Sequence, residues 1–320
     1  MMAKSERTGR WPARLHVVTG KGGAGKTSVA AALALGLAEG GRRTLLVEVE
    51  GRQGIAQLFG VEPLPYKELR IASVPGGGEV RALAVDPEEA LLEYLEMFYK
   101  MGAAGRALRK VGAIDFATTI APGLRDVLLT GKVKESTTRA KDGRRVYDAV
   151  VLDAPPTGRI GRFLNVTAET ARLAKVGPIK TQSEGVASLL RSPITSVHVV
   201  TLLEEMPVQE SLDAIAELSA LDIAVGRIIV NAARPPLLTA GRVTKTELKR
   251  GLTAAGLPAD PATVSGLQDE AKAHLTRRGL EESLRSELAE LGRPMVELPL
   301  LPQGIDGAGL DELAQRLLSV

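Results

Sequence analysis

The chain has 320 residues, of which 44% are hydrophobic, 25% are charged and only 3% are aromatic, and its formal net charge is +3. This composition is typical of a soluble globular protein whose core is built from aliphatic side chains. The absence of cysteine excludes disulfides, iron–sulfur clusters and thiolate zinc sites. The mildly basic charge permits an acidic or membrane-surface partner, and it gives no reason to expect a nucleic acid.

The location of the protein is predicted from its apolar runs. Residues 1–14 are charged and lack the apolar core of a signal peptide. The longest convincing apolar run, residues 29–38, is far shorter than the roughly 18 residues needed to span a bilayer. We therefore expect a cytoplasmic protein that does not itself span the membrane.

A glycine-rich loop lies between an apolar β-branched run at residues 15–18 and an alanine- and leucine-rich segment that begins near Thr27. Strand, phosphate loop and helix are predicted, because the loop fits G-x-x-x-x-G-K-[ST]. Glycines let backbone N–H groups approach phosphate oxygens, and the helix N-terminus favours the anion. Lys26 is predicted to contact the β- and γ-phosphates, and the Thr27 hydroxyl is suited to Mg²⁺. The predicted nucleotide-binding residues here are Gly20, Lys21, Gly22, Gly23, Ala24, Gly25, Lys26, Thr27 and Ser28.

A second buried strand is predicted over residues 43–50, and it ends in two carboxylates, Glu48 and Glu50. Ligands bind at the carboxyl ends of strands in open α/β sheets, so both side chains are predicted to face the phosphate loop. A third strand is predicted at residues 80–85. A helix begins at residues 86–89, with a proline and acidic residues in its first turn.

Two helical segments interrupt this pattern of strands. Residues 86–141 are too long for one crossover helix, so we predict a helical insertion whose apolar stripe forms either ordinary core or a groove for a client or partner. Residues 234–292 form the second segment, where dense mixed charges that include Glu281 and Glu282 suit a solvated helix face.

The remaining strands are predicted at residues 147–153, 197–204, 226–231 and 294–302, followed by an amphipathic helix at 310–318. Asp153 ends the first of these strands, where an aspartate can hold Mg²⁺ directly or through water. The predicted fold is α/β, a doubly wound and mainly parallel sheet of the P-loop NTPase type with a helical insertion.

Asn231 ends the strand at residues 226–231, and its amide has both the donor and the acceptor needed to pair with the edge of adenine. The guanine-selecting pattern N-K-x-D is absent, because Ala232 and Ala233 follow the asparagine. ATP is therefore favoured over GTP. An asparagine that caps a turn is the alternative interpretation.

The loop sequence KGGAGKT, with Lys21 directly after the first glycine, resembles the deviant phosphate loop of the ParA, MinD, nitrogenase iron protein and ArsA class. That resemblance implies that Lys21 reaches across a nucleotide-sandwich dimer to the phosphates bound by the partner. Such a cation would act in trans, in the manner of an arginine finger.

The sequence DAPPTGRIGRFL at residues 153–164 resembles the switch II signature D-T-A-P-T-G-H-T-L-R-F-L of the ArsA family, with Arg159 in place of the family histidine. Glu50 falls where that family has the switch I aspartate, so the resemblance implies that Glu50 positions the attacking water. It also implies that Glu204 contacts the nucleotide of the partner and that Pro299 lies in the loop flanking adenine. Lys21, Lys26 and Glu50 are thus the expected catalytic residues, and Thr27 and Asp153 the expected metal ligands.

The resemblance covers most of the chain and implies one ATPase domain over residues 1–320, a dimeric switch that uses ATP and Mg²⁺. The dimer is either a homodimer or a heterodimer with a related ATPase subunit. Hydrolysis is expected to drive targeting or remodelling of a client protein, or to energise a membrane partner. Because the chain has no cysteine, any dimer closes without a zinc clasp, and no cysteine-based arsenite site is present.

Three other interpretations stay open. A positioning ATPase like ParA or MinD predicts nucleotide-dependent binding to DNA or lipid. A metabolic enzyme on the same core predicts a small substrate pocket beside the γ-phosphate. A low-activity subunit of a heterodimeric ATPase is suggested by Glu50, whose carboxylate sits on a longer arm than that of aspartate.

Overall fold

A central sheet of eight strands organises the computed structural model, which describes residues 11–99, 122–166, 168, 177–238 and 243–319. Its strands lie in the order β10-β9-β8-β1-β7-β2-β4-β3, and every neighbouring pair is parallel except β3 and β4. A separate hairpin is formed by β5 and β6. The strands are β1 Leu15–Gly20, β2 Arg43–Glu48, β3 Leu69–Val74, β4 Gly78–Ala84, β5 Ala140–Lys141, β6 Arg144–Arg145, β7 Ala149–Asp153, β8 Thr195–Thr201, β9 Val225–Ala233 and β10 Met295–Pro299.

Helices cover both faces of the sheet, so the central strands are buried throughout and read as continuous apolar runs. The helices are α1 Lys26–Ala38, α2 Gly54–Phe59, α3 Pro87–Tyr99, α4 Pro122–Thr138, α5 Thr157–Leu164, α6 Pro178–Leu190, α7 Glu205–Ala220, α8 Lys245–Ala254, α9 Pro261–Glu290 and α10 Gly307–Ser319. One face packs against α1 and α10, and the other against α3 to α7 and part of α9. This architecture confirms the predicted doubly wound α/β fold.

The alanine-rich α1 lies against the sheet with nearly all of its residues buried. Its close neighbour is α10, since a Cβ added at Gly36 would come 3.0 Å from the Cγ of Leu318. Small side chains on α1 therefore let two helices and the sheet pack tightly behind the phosphate loop.

The described ends of the predicted insertion, α3 and α4, both contribute to the core, through Leu91 and Tyr94 and through Val127 and Leu129. The middle of the insertion lies outside the described residues. The second helical segment contains α8 and the long α9. The expected solvated face is wrong for Glu281, which is only 4% exposed, although the Glu282 side chain is 63% exposed. Glu281 is buried because Leu284 and Leu288, on the same helix, anchor α9 in the core.

Three strands were not predicted. The edge strand β3 is mostly exposed or half-buried, so it lacks an apolar alternation that would identify it. The hairpin of β5 and β6 turns at Asp142 and Gly143, both with positive φ, and this Asp-Gly pair is a turn signal in the sequence. None of the described helices is long and apolar enough to cross a bilayer.

Candidate nucleotide-binding site

The phosphate loop joins the end of β1 to the start of α1, as predicted, and two of its glycines are required by their surroundings. A Cβ on Gly20 would overlap the carbonyl oxygen of Val200 in β8. Gly25 has φ +87, and a Cβ there would overlap the amide nitrogen of Asn231. No described side chain caps α1, so its first N–H groups remain available to an anion. Ser28 lies within α1, one position after Thr27.

Lys26 opens α1 and is buried beside the loop, with 9% exposure. Burial lowers the pKa of its ammonium group, and the carboxylates of Asp153 and Glu50 oppose that shift. Because Coulombic effects of this kind act over short distances, Lys26 and the two carboxylates form one charged group under the loop. This is the neighbourhood that the sequence predicted for a lysine on the terminal phosphates.

Asp153 ends β7 directly beside both β1 and β2, where it is paired in register with Val18 and with Glu48. The hydroxyl of Thr27 donates a 2.7 Å hydrogen bond to Oδ2 of Asp153. Burial raises the pKa of Asp153 to about 6, with smaller contributions from Glu48 and Glu50. Its other oxygen, Oδ1, is buried without a hydrogen-bond partner in the described part of the chain.

This pair fits a hard cation such as Mg²⁺. Burying a carboxylate oxygen without a partner costs free energy, and a bound cation offsets that cost. Carboxylate and hydroxyl oxygens are also ligands that Mg²⁺ prefers. Among the described residues there is no cluster of three or more His, Cys, Asp or Glu side chains that could hold a metal alone. The chemistry therefore suits an ion that shares its coordination sphere with phosphates and water.

The two carboxylates after β2 have different surroundings. Glu48 is buried and accepts hydrogen bonds from the backbone N–H groups of Gln53, at 2.5 Å, and Ile55, at 3.2 Å, at the start of α2. Glu48 is therefore occupied in holding the loop and α2. Glu50 makes two longer ion pairs, 3.5 Å to Arg159 and 3.8 Å to Arg52, so its carboxylate is held less tightly than that of Glu48.

Lys21 is paired within its own chain. Its Nζ lies 2.8 Å from Oε1 of Glu210, and Oε2 of Glu210 accepts a 3.0 Å hydrogen bond from Thr157 at the start of α5. The hydrogen bond from Lys21 lowers the pKa of Glu210. Sequence reasoning missed Glu210, because an acidic residue within an amphipathic helix has no distinguishing local pattern.

Asn231 lies within β9, so the turn-capping interpretation is wrong. Its Nδ2 donates a 2.9 Å hydrogen bond to the carbonyl oxygen of Ala24 in the phosphate loop. One N–H of the Asn231 amide is thus engaged with the loop, which leaves its second N–H and Oδ1 for pairing with a base. This contact places the end of β9 directly against the loop.

A pocket of about 80 Å³ opens beside Asn231 at the carboxyl ends of β8 and β9. Glu204, which is exposed at the start of α7, lies on its wall, and Pro299 ends β10 just before Leu300, another lining residue. Arg277 and Glu281 reach the same pocket from α9. Those two were missed because α9 lies far along the chain and reaches the site only in the folded protein.

The chain is similar in sequence to several known ATPases. The family model described as anion-transporting ATPase matches residues 13–192. The ATPase BagA of Mycobacterium tuberculosis is 53% identical over 321 residues, which cover 96% of this chain and 94% of BagA. The ATPase GET3 of Kluyveromyces lactis is 26% identical over 249 residues, 67% of this chain and 70% of that protein. The arsenical pump-driving ATPase of Escherichia coli is 26% identical over 265 residues, 76% of this chain and 44% of that protein.

Proposed function

Because the chain belongs to the anion-transporting ATPase family and is therefore an ATPase, we propose that it works as an ATP-driven dimeric switch. The observation that carries the proposal is the pair formed by Thr27 and Asp153 beneath a complete phosphate loop. Such a pair links the loop that holds phosphates to α5, the helix that follows β7, so the presence of the third phosphate is communicated to α5.

The loop residues Gly20 to Thr27 bind the phosphates through backbone N–H groups, and Lys26 neutralises charge on the β- and γ-oxygens. Thr27 and Asp153 hold Mg²⁺, which supplies charge neutralisation and orientation of the phosphates when it is bound. Glu50 accepts a hydrogen bond from the attacking water and orients it for in-line attack. At the other end of the nucleotide, Asn231 and Pro299 flank the adenine, and Glu204 contacts the nucleotide bound by the partner subunit.

Two copies meet through the face that carries the loop. On that face the Lys21 side chain is 31% exposed, although it is paired with Glu210. In the dimer Lys21 leaves Glu210 and contacts the phosphates of the partner, where a phosphate offers a stronger anionic partner than a single half-exposed carboxylate. The partner is a second copy or a related ATPase subunit.

ATP hydrolysis then drives the targeting or remodelling of a client protein, or drives a membrane partner. The contact with that protein is made by α3 and α4, the described ends of the helical insertion. A small cavity of about 30 Å³ lies between α3, α4 and α6. Met97, on its lining, is 58% exposed, and such an apolar side chain is suited to a protein contact. No thiolate chemistry takes part, because the chain has no cysteine.

A low-activity subunit of a heterodimer is the second candidate, and Glu50 is the observation that favours it. Its carboxylate is one methylene farther from the backbone than that of an aspartate, and it faces Arg52 and Arg159 at 3.8 Å and 3.5 Å. Turnover by the purified chain alone separates the two candidates.

The test is Mg²⁺-dependent ATP hydrolysis by the purified chain with its molecular mass recorded alongside, for wild type, Lys21→Ala, Glu50→Gln and the surface control Lys67→Ala. We expect turnover with ATP-dependent dimers in wild type and the control. Lys21→Ala loses turnover, and Glu50→Gln accumulates the ATP-bound dimer. A wild-type chain that binds ATP but stays monomeric and inactive contradicts the self-sufficient switch and favours the heterodimer.

A further inference from the structure

Each oxygen of the Glu50 carboxylate faces its own arginine. Arg159 Nη1 lies 3.5 Å from Oε1, and Arg52 Nη2 lies 3.8 Å from Oε2. The Glu50 side chain is only 17% exposed, whereas the side chains of Arg159 and Arg52 are 58% and 74% exposed. The carboxylate is therefore the sheltered member of the cluster, and the two cations lie between it and solvent.

The cluster joins the two segments that border the terminal phosphate. Glu50 and Arg52 belong to the loop after β2, and Arg159 lies in the first turn of α5, which follows Asp153 at the end of β7. The Glu50 charge acts on the pKa of both Lys26 and Asp153, so the carboxylate lies within electrostatic reach of the phosphate lysine and of the metal carboxylate. Arg159 thus connects the chemistry of the site to the helix that responds to it.

Both ion pairs are loose. Charge-assisted hydrogen bonds between N–H and carboxylate are about 2.7–2.9 Å long, and both distances here are clearly greater. An arginine that is more than half exposed exchanges such a partner readily, because solvent screens the pair. A phosphate is the better partner for a guanidinium, since its geometry allows two parallel hydrogen bonds.

Binding of a terminal phosphate also changes the balance of charge around Glu50. In the nucleotide-free site the arginines balance the carboxylate. Once the triphosphate arrives, a carboxylate that is still bound to arginine cannot turn towards the attacking water, and Lys26 is engaged by phosphate. Transfer of one arginine from Glu50 to the phosphate therefore neutralises the new charge and frees the base in the same step.

We propose that Arg159 exchanges the Glu50 carboxylate for the terminal phosphate of ATP, and that this exchange both recognises the third phosphate and releases Glu50 to orient water. The proposal rests on the proposed function for the role of Glu50. Arg159 is the better candidate of the two arginines, because its guanidinium lies closer to the Glu50 carboxylate, 3.5 Å against 3.8 Å for Arg52, and is less exposed. The exchange would supply a cation in cis, in addition to the lysine supplied in trans.

The experiment compares wild type with Arg159→Ala, Arg159→Lys and the control Arg70→Ala. Arg70 is also an exposed arginine, and it lies on the edge strand β3. Calorimetry gives the affinities for a non-hydrolysable ATP analogue and for ADP, and steady-state kinetics give kcat and KM. We expect Arg159→Ala to reduce the preference for the ATP analogue over ADP on the order of 10-fold, with ADP affinity unchanged. Its kcat falls roughly 100-fold, the loss typical of one transition-state donor. Arg159→Lys restores part of both, because it keeps the charge without the planar fork.

A double-mutant cycle with Glu50 distinguishes the proposed role of Arg159 from a purely structural one. In the Glu50→Gln background, Arg159→Ala is expected to lower kcat by clearly less than the roughly 100-fold loss in wild type, because the part of its effect that acts through Glu50 is already lost. An unchanged preference for the ATP analogue over ADP in Arg159→Ala overturns the proposal, as does a fully additive cycle. The binding preference is measured without turnover. If wild type is inactive, the proposed function is contradicted. The affinities for the ATP analogue and for ADP still test whether Arg159 recognises the third phosphate.

Discussion

Lys21 and Glu210 form a 2.8 Å ion pair between the phosphate loop and α7, and Thr157 donates to the same carboxylate from the start of α5. Glu210 therefore ties together the loop lysine and α5, the helix that follows Asp153. This contact restrains the side chain that the proposed dimer requires. In that proposal, breaking the contact is part of the free-energy change of assembly.

Replacement of Glu210 by glutamine weakens this restraint. We expect Glu210→Gln to form ATP-dependent dimers at an ATP concentration about two- to fivefold lower than wild type, because a part-exposed ion pair contributes at most about 1 kcal/mol. Mass photometry over an ATP titration measures the midpoint. Glu205→Gln, an exposed position on the same helix, is the matched control and leaves the midpoint unchanged. A midpoint that moves to higher ATP contradicts the restraint.

Asp153 should make metal-dependent nucleotide binding sensitive to pH. Burial raises the pKa of this carboxyl to about 6, and a carboxyl must be deprotonated to bind Mg²⁺. Nucleotide affinity in Mg²⁺ is therefore expected to fall as the pH decreases from 7 to 5. Affinity measured in EDTA over the same range is the control, and a parallel fall there contradicts the assignment to the metal carboxylate.

The same raised pKa predicts that Asp153 destabilises the nucleotide-free protein at neutral pH. The folded state holds the Asp153 proton up to about pH 6, whereas the unfolded state releases it near the usual aspartate pKa of 3.8, so this contribution to stability falls as the pH rises through that window. We expect Asp153→Asn to stabilise the protein by roughly 1–3 kcal/mol at pH 7.5, at 1.36 kcal/mol per unit of pKa. Urea unfolding without nucleotide measures this, and Asp148→Asn is the control. Equal stability of Asp153→Asn and wild type contradicts the buried-charge assignment.

A buried histidine pair predicts acid sensitivity from a different part of the sheet. His16 Nδ1 and His198 Nε2 are 3.0 Å apart, and burial lowers the pKa of His16 to about 4 and that of His198 well below its usual value. His198 Nδ1 accepts from the backbone N–H of Arg227 at 3.2 Å. The proton of His198 is therefore on Nε2, which donates to His16.

Because the unfolded chain protonates both histidines below about pH 6.5 and the folded chain does not until lower pH, stability should fall as the pH decreases from 6.5 to 4. His16 alone contributes up to about 3 kcal/mol over that range. Trp11, the single tryptophan, lies edge-on to both rings, so its fluorescence reports unfolding in urea at each pH. The measurement uses the Asp153→Asn background, because Asp153 titrates with the opposite sign in this window. His16→Gln should reduce the slope, and an unchanged slope contradicts the prediction.

Two glycine substitutions should act in opposite directions. Gly20→Ala places a methyl group into the carbonyl oxygen of Val200, so β1 and β8 must separate and we expect a loss of more than about 2 kcal/mol. Gly266→Ala lies within α9 with nothing near the added methyl, and it should stabilise by roughly 0.5–1 kcal/mol. Thermal unfolding compares both with wild type. A neutral Gly20→Ala contradicts the close approach of the two strands.

Much of the fold follows from local patterns in the chain. The strands β1, β2, β4, β7, β8 and β9 were predicted from apolar runs bounded by turns, and the edge strand β10 was predicted from the resemblance of its segment to the last strand of the ArsA family. Edge strand β3 was not predicted, since solvent on one side removes that signal. The short hairpin was missed although its Asp-Gly turn was visible at Asp142.

The sequence by itself determined the phosphate loop, because its chemistry depends on residue types at fixed spacing within one strand, turn and helix. It also determined Asp153 as a candidate for metal binding, because a strand that ends in an acid lies beside the loop in any such sheet. Only the tertiary structure decided the partners of these groups. Lys21 meets Glu210, Glu50 meets Arg159, and Glu281 is buried, through contacts between segments far apart in the chain. Such contacts depend on how helices pack on the sheet, and no local pattern of residues encodes which side chains that packing brings together.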